Sequence, residues 1–242
     1  MKALRQKICT YAIALLTSLG LATTSAQAGS ADFAGIYGAL NASAGGAQIS
    51  GTHTGGSTNE VNEGKVGGVY PQAGYEVGFN LPLGPVFFLG AGHSWTKGGT
   101  ATLAEGAEET ASSGGSNKAG SDDGTAAASI TSFSLKASDL KEVYIMPSIS
   151  IYDNSAVYVK LGRAIADLDL TGSVTGTPNN LTGNLVGIGT IAMTPSGIFI
   201  KTEGSVTRFD DIKVVGVADS ASAYVEGTPD VVQGTVAIGF KF

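Results

Sequence analysis

Hydrophobic and polar positions alternate with a period of two along eight stretches of this chain. The C-terminus is the cleanest. Val232, Gly234, Val236, Ile238, Phe240 and Phe242 share one parity, and Val231, Gln233, Thr235, Ala237, Gly239 and Lys241 the other. Successive side chains of a strand point to opposite faces, so one face is apolar and ends in aromatics while the other is small or polar. A second stretch sets Val69, Pro71, Ala73, Tyr75, Val77 and Phe79 against Tyr70, Gln72, Gly74, Glu76, Gly78 and Asn80. In a soluble sandwich Glu76 faces water; in a barrel it faces the lumen, and this stretch alone leaves both readings open. Pro71 counts mildly against a central strand, because proline cannot donate to a ladder.

Six further segments follow the same rule: Phe33–Ser43, Val86–Lys97, Leu140–Ile151, Ala156–Ala166, Leu185–Met193 and Ile198–Thr207. In Leu140–Ile151, Val143, Ile145, Pro147, Ile149 and Ile151 oppose Glu142, Tyr144, Met146, Ser148 and Ser150. His93 and Arg163 fall on the apolar parity and break it; each lies toward a long connection, where an interface position tolerates a polar group.

The connections decide between sandwich and barrel. Leu81–Pro85, Tyr152–Ser155 and Thr194–Gly197 are short and rich in turn residues. Ala44–Lys65, Gly98–Asp139, Asp167–Gly183 and Arg208–Asp230 are long. Short and long alternate strictly, as the periplasmic turns and extracellular loops of outer-membrane barrels do, whereas a Greek-key sandwich has no reason to alternate them. The expected fold is all-β: an eight-stranded antiparallel up-and-down transmembrane barrel. Ser129 to Leu135 partly alternates, which extends strands beyond the membrane there.

Composition sharpens this reading. The chain has 242 residues, 36 glycines and only 14% charged residues, with a mean hydropathy of +0.18. Its N-terminus reads as a secretory signal: basic Lys2, Arg5 and Lys7, a mostly apolar Ile8–Ala22, and a small-residue cleavage pattern at Ala26-Gln27-Ala28. Residues 1–28 are therefore expected to be removed and residues 29–242 to form the barrel, starting at Gly29. The apolar stretch falls short of the ~20 residues that span a bilayer. Cys9 lacks the flanking residues of a lipoprotein signal. Removal leaves eleven basic against twenty acidic residues, a net charge of −9, which argues against nucleic acid or anionic lipid as a partner. It also leaves no cysteine, so disulfides and thiolate metal sites are excluded. After the signal no apolar run reaches the length of a membrane helix, and the remaining way to span lipid is a closed barrel.

Several stretches resemble the small OmpA-like and opacity-like outer-membrane β-barrel family. Tyr144–Asn154 is similar to a family strand and turn, with Ser148 where glycine is usual. Val157–Gly162 resembles the fifth strand, Gly187–Pro195 the sixth, and Phe199–Glu203 with Phe209–Ile212 the seventh strand and the start of the last loop. Gly239–Phe242 resembles the terminal aromatic signature. The resemblance implies residence in the bacterial outer membrane, surrounded by its lipid. It implies an assembly signal at Ile238, Phe240 and Phe242, read by the barrel-assembly machinery after passage through periplasmic chaperones.

Eight strands enclose a lumen that side chains fill. Counted from the nearest turn, Glu76, Lys160, Lys201 and Glu203 lie at similar heights on the inward parity. They are expected to form an ion cluster, since unpaired charge is costly in so confined a space. Glu142 is expected nearer the outer rim and Lys241 at the periplasmic mouth. Phe79 and Phe87 are expected in an aromatic girdle near the turns, with Trp95 at the outer rim; Phe199 shares the parity of Lys201 and is a candidate plug. Glycines at 74, 78, 90, 92, 162, 187 and 189 thin the wall, and the alternative of a small channel rests on the narrow water path they could leave.

Three functions follow in order: a non-enzymatic envelope or surface-interaction barrel whose loops meet an extracellular ligand, a small porin-like channel, and a lipid-modifying enzyme. Catalysis needs a nucleophile beside a base. His53 sits in a Gly/Thr-rich loop, and His93 and Ser94 point to opposite faces, so no enzyme activity is expected. No cofactor or metal motif is present, and Asp122-Asp123-Gly124 lacks the spacing of a calcium loop.

Overall fold

The computed structural model describes residues 29–54, 61–98, 101–107, 132–152, 154–172, 174–175, 180–216 and 224–242. The signal sequence and Asp122-Asp123-Gly124 lie outside them. Eleven strands form one antiparallel sheet: β1 (Gly35–Thr54), β2 (Val61–Pro82), β3 (Phe87–Lys97), β4 (Ala101–Ala107), β5 (Ser132–Tyr152), β6 (Ser155–Gly172), β7 (Val174–Thr175), β8 (Asn180–Met193), β9 (Ile198–Phe209), β10 (Ile212–Gly216) and β11 (Tyr224–Lys241). Eight of them, β1, β2, β3, β5, β6, β8, β9 and β11, pair in chain order, and β11 returns onto β1 from Tyr37–Lys241 to Thr54–Tyr224. The sheet is a closed up-and-down barrel. β4 pairs with β5, and β10 with β11 and β7, so these three stand at the end carrying the long connections.

The register fixes the barrel's shape. Gly38 faces Val77, and the row continues through His93, Val143, Arg163, Asn184, Arg208 and Asp230 to Gln48. It re-enters β1 ten residues beyond its start (48 − 38). With ~3.3 Å per residue and ~4.8 Å between strands, that stagger tilts the strands by about 41°.

The strands overrun the alternating segments read from sequence. β1 and β2 pair as far as Thr54 and Val61, deep into what was expected to be connection. β5 with β4 and β6 does the same at the next loops. Hydrophobic alternation marks only the part of a strand with two different environments. Beyond it, backbone pairing continues without an apolar code. The first segment also begins too early: Ser30–Phe33 forms a 3-10 helix rather than strand. In the fourth segment Ile149 keeps the parity of Val143 and stands opposite the exposed Phe87, yet it is itself buried. Beyond it the β5–β6 register slips between Ser150 and Tyr152, at the turn.

The prolines fit this sheet. Pro71 lies past Ala73–Lys97, the last β2–β3 pair, and meets only the β1 ladder opposite Ala44. Pro147 pairs with Leu89 on one side, while the β5–β6 ladder passes from Ile145 to Ser148 without it.

The outer face is apolar in a band. Leu40, Val77, Phe79, Val143, Ile188, Val232, Val236 and Ile238 are all exposed. From Val232 to Phe242 the band runs ten residue steps, along β11 and the residue after it. At ~3.3 Å per residue and ~41° tilt this is about 25 Å of height, the span of a transmembrane barrel's apolar belt.

Candidate functional site: the filled lumen

The lumen is packed in three layers. At the turn end an aromatic layer gathers Phe33, Tyr37, Phe88, Met146, Tyr158 and Phe199. Its lowest member comes from the 3-10 helix, which folds into the barrel mouth. Phe33 stacks on Phe88 with ring centroids 4.9 Å apart. Asn80 Nδ2 donates to the Phe33 carbonyl (3.1 Å), the Ser30 N–H to the Pro85 carbonyl (2.9 Å), and Lys241 Nζ to the Asp32 carbonyl (2.7 Å). At the loop end an aliphatic layer contains Ile49, Tyr70, Leu140, Leu168, Leu181 and Phe209.

The middle layer is ionic. Lys201 Nζ donates to both oxygens of Glu76 (2.7 and 3.0 Å). Lys160 Nζ donates to Glu203 Oε1 (3.0 Å) and to Glu142 Oε2 (2.7 Å). Tyr158 donates to Glu203 Oε2 (3.0 Å), Tyr144 to Glu76 Oε2 (3.4 Å), and Ser94 to Glu142 Oε2 (2.7 Å). The ammonium groups also lie against rings, Lys160 4.4 Å from the Tyr144 centroid and Lys201 5.3 Å from that of Tyr158. The four residues expected to meet thus stand as two pairs, Glu76 with Lys201 and Lys160 with Glu203. Glu142 departs from its expected place. Its backbone pairs with Ala164, four residues farther from the turn than Lys160, but its carboxylate reaches down into the layer. Parity locates a Cα; it says nothing of how far a long side chain leans along the barrel.

The aromatic rings explain the glycines. Tyr37 stands opposite Gly78, Tyr144 opposite Gly92, Tyr158 opposite Gly189, Phe199 opposite Gly239 and Tyr70 opposite Gly45. A methyl group on Gly78 would meet the Tyr37 ring at 2.5 Å, and one on Gly92 the Tyr144 hydroxyl at 2.7 Å. At Gly189 and Gly239 it would collide with Tyr158 and Phe199. Each ring lies flat over a glycine on the neighbouring strand, a pairing that strengthens sheets where glycine alone would weaken them. Of the glycines on which the channel alternative drew, Gly78, Gly92 and Gly189 have their lumen side occupied by a tyrosine ring. Among the described residues, one cavity of about 10 Å³ lies within the aromatic layer and another of about 10 Å³ lies in the ionic layer, each roughly the room of one water.

Most of the remaining singled-out residues lie on the outside. Phe79, Phe87, Phe240 and Phe242 are exposed, and Phe240 and Phe242 pack edge to face at 5.4 Å. Phe199, the candidate plug, is buried against Tyr37 (5.7 Å, edge to face). Trp95 meets Tyr75 edge to face, with Lys97 4.4 Å above its ring. Nearby a rim of exposed ion pairs borders the apolar band: Lys141–Asp167 (3.6 Å), Arg163–Asp210 (3.7 Å) and Arg208–Asp230 (3.8 Å). Arg163 also donates to Asn184 Oδ1 at 2.8 Å, which accounts for a charge on the apolar parity. His93 Nδ1 lies 2.9 Å from the Glu142 carbonyl, while the Ser94 hydroxyl points inward. The side chain of His53 is outside the described residues. Among the described residues no group of three His, Cys, Asp or Glu converges as metal ligands do.

No family model matches the chain, and no curated protein matches it in sequence. Among solved structures, outer membrane protein OprG from Pseudomonas aeruginosa aligns over 90% of this chain and 99% of its own, at 11% identity and a TM-score of 0.46. Neisserial surface protein A aligns over 86% and 97%, at 10% identity and 0.45. The outer membrane protease OmpT from Escherichia coli aligns over 91% and 99%, at 11% identity and 0.43. The barrel itself is established by the chain's own strand pairing.

Proposed function

We propose that the protein is a non-enzymatic integral barrel of the bacterial outer membrane, of the OmpA-like kind, and that it acts in the envelope or through its extracellular loops. The carrying observation is the pairing of an apolar outer band with a lumen whose described side chains pack in three layers. An apolar belt about 25 Å tall suits hydrocarbon. A lumen closed by an aromatic layer below and an aliphatic layer above suits a rigid scaffold for loops better than a porin-like channel. In this reading residues 1–28 direct export, and Ile238, Phe240 and Phe242 serve as the assembly signal. The turn end faces the periplasm and the long connections face outward. The opposed facing of His93 and Ser94 supports the non-enzymatic assignment.

Three measurements test it, with these expected outcomes. The folded protein migrates faster than the boiled protein on a gel, and protease added to intact cells cuts only in the long connections. In planar bilayers the purified protein gives no steady openings. Recovery as a water-soluble monomer without detergent would overturn the membrane assignment; steady openings would replace the scaffold with a channel.

A further inference from the structure

The charges on the outer rim are sorted by height. At the strand tilt found above, each residue along a strand climbs about 2.5 Å, and each strand along a register row climbs about 3 Å. Counted upward from Gly38, the apolar band ends at Val232, about 17 Å up. Lys97, Lys141, Arg163 and Arg208 spring from about 13–19 Å, level with that edge. Asp167, Asp210 and Asp230 spring from about 22–24 Å, farther from the band. The exposed cations therefore border the apolar band, and the carboxylates stand beyond them.

Three of the four bases adjoin on one face. Trp95 stands opposite Lys141, with Lys97 Nζ 4.4 Å and Lys141 Nζ 5.8 Å from its ring. Tyr75 packs edge to face on that ring, and Val77 and Val143 are exposed below it. Arg163 lies diagonal to Lys141 across the β5–β6 ladder. Among the described residues no carboxylate stands within ion-pair distance of Lys97, and Lys141 meets Asp167 only at 3.6 Å. Arg163 keeps N–H donors beyond those it directs at Asn184 and Asp210.

We infer that this face binds the phosphate of a lipid headgroup, held by Lys97 and Lys141 beside Trp95, with the acyl chain along Tyr75, Val77 and Val143. Ammonium and guanidinium groups make short, charge-assisted hydrogen bonds to phosphate oxygens. A free phosphate offers the same oxygens but no chain to lie on the band. The net charge of −9 disfavours anionic lipid for the molecule as a whole. Sorting by height reverses that at the one level where headgroups lie. The inference rests on the membrane reading proposed above.

Trp95 is the single tryptophan of the chain, so its fluorescence reports this face alone. The folded protein is placed in phosphatidylcholine vesicles that contain a small fraction of lipid brominated near the headgroup, either phosphatidic acid or phosphatidylcholine. Bromine quenches only a ring that it touches. Both lipids are expected to quench, with phosphatidic acid favoured at least about fivefold, the ratio that one basic side chain near an anionic surface supplies. The double variant K97Q/K141Q loses the preference while keeping heat-modifiable migration; if it does not fold, K97Q alone decides. K241Q, at the turn end, keeps the preference, and inorganic phosphate in the buffer does not displace the lipid. Equal quenching by the two lipids, a preference that survives the lysine variants, one lost equally in K241Q, or displacement by inorganic phosphate would overturn the lipid site and leave the membrane reading standing. No quenching by either lipid would overturn both.

Discussion

The barrel contains the same ion-pair chemistry in two settings, and they behave differently. In the lumen, Lys160 and Lys201 hold their carboxylates at 2.7–3.0 Å with side chains 4–7% exposed. On the rim, Lys141, Arg163 and Arg208 stand 3.6–3.8 Å from theirs with side chains 26–64% exposed. At the rim, water screens the charges and freezing two long side chains offsets the attraction, so such pairs are worth ~0–1 kcal/mol. Inside, the pairs need not stabilise the fold relative to an apolar filling. Removing one partner, however, strands the other in a low-dielectric space. The lumen layer is thus a constraint on which sequences fold, whereas the rim is a border that tolerates change.

The largest effect expected is from Lys201→Met, which leaves the Glu76 carboxylate, among the described residues, with the Tyr144 hydroxyl as its hydrogen-bond donor. It should destabilise the barrel by about 3–5 kcal/mol in urea unfolding, followed through Trp95, the single tryptophan. The double replacement Glu76→Leu with Lys201→Leu should recover most of that loss. A single mutant within 1 kcal/mol of wild type would erase the difference between the two settings. Next is Gly78→Ala, which pushes the Tyr37 ring off its seat and should cost about 1–3 kcal/mol by overpacking. Adding Tyr37→Leu should relieve the clash; if the two losses simply add, ring and glycine are not coupled. Smallest is Arg208→Ala at the rim, expected to change stability by less than ~1 kcal/mol. What little it changes should shrink as salt is raised toward 1 M, where the Debye length is ~3 Å, while the Lys201 effect persists. A rim effect above 2 kcal/mol that ignores salt would show those pairs to be far less solvated than their exposure indicates.

Much of the barrel can be read from residue order. Strand parity separates Val236, Ile238 and Phe240 from Thr235, Ala237 and Gly239 because a strand side chain has only two directions. Turn residues at Leu81–Pro85 and Thr194–Gly197 pair neighbouring segments because short connections allow nothing else. Those two local facts suffice for eight strands, and they place Glu76, Lys160, Lys201 and Glu203 inside. Strand ends were not legible. Past Gln48 or Gly67 pairing rests on backbone hydrogen bonds, which leave no pattern in side-chain polarity.

Contacts across the lumen were legible only in part. Whether Glu142 joins the ion layer depends on a stagger of ten residues around the wall and on the lean of one side chain, and neither is written in local sequence. The rings over glycines are similar. Tyr158 and Gly189 lie 31 residues apart, and only the β6–β8 register sets one above the other. Alternation thus dictates which way each side chain faces, because facing is a property of single residues on a strand. Closure decides which side chains meet, because meeting depends on register summed over all eight strands.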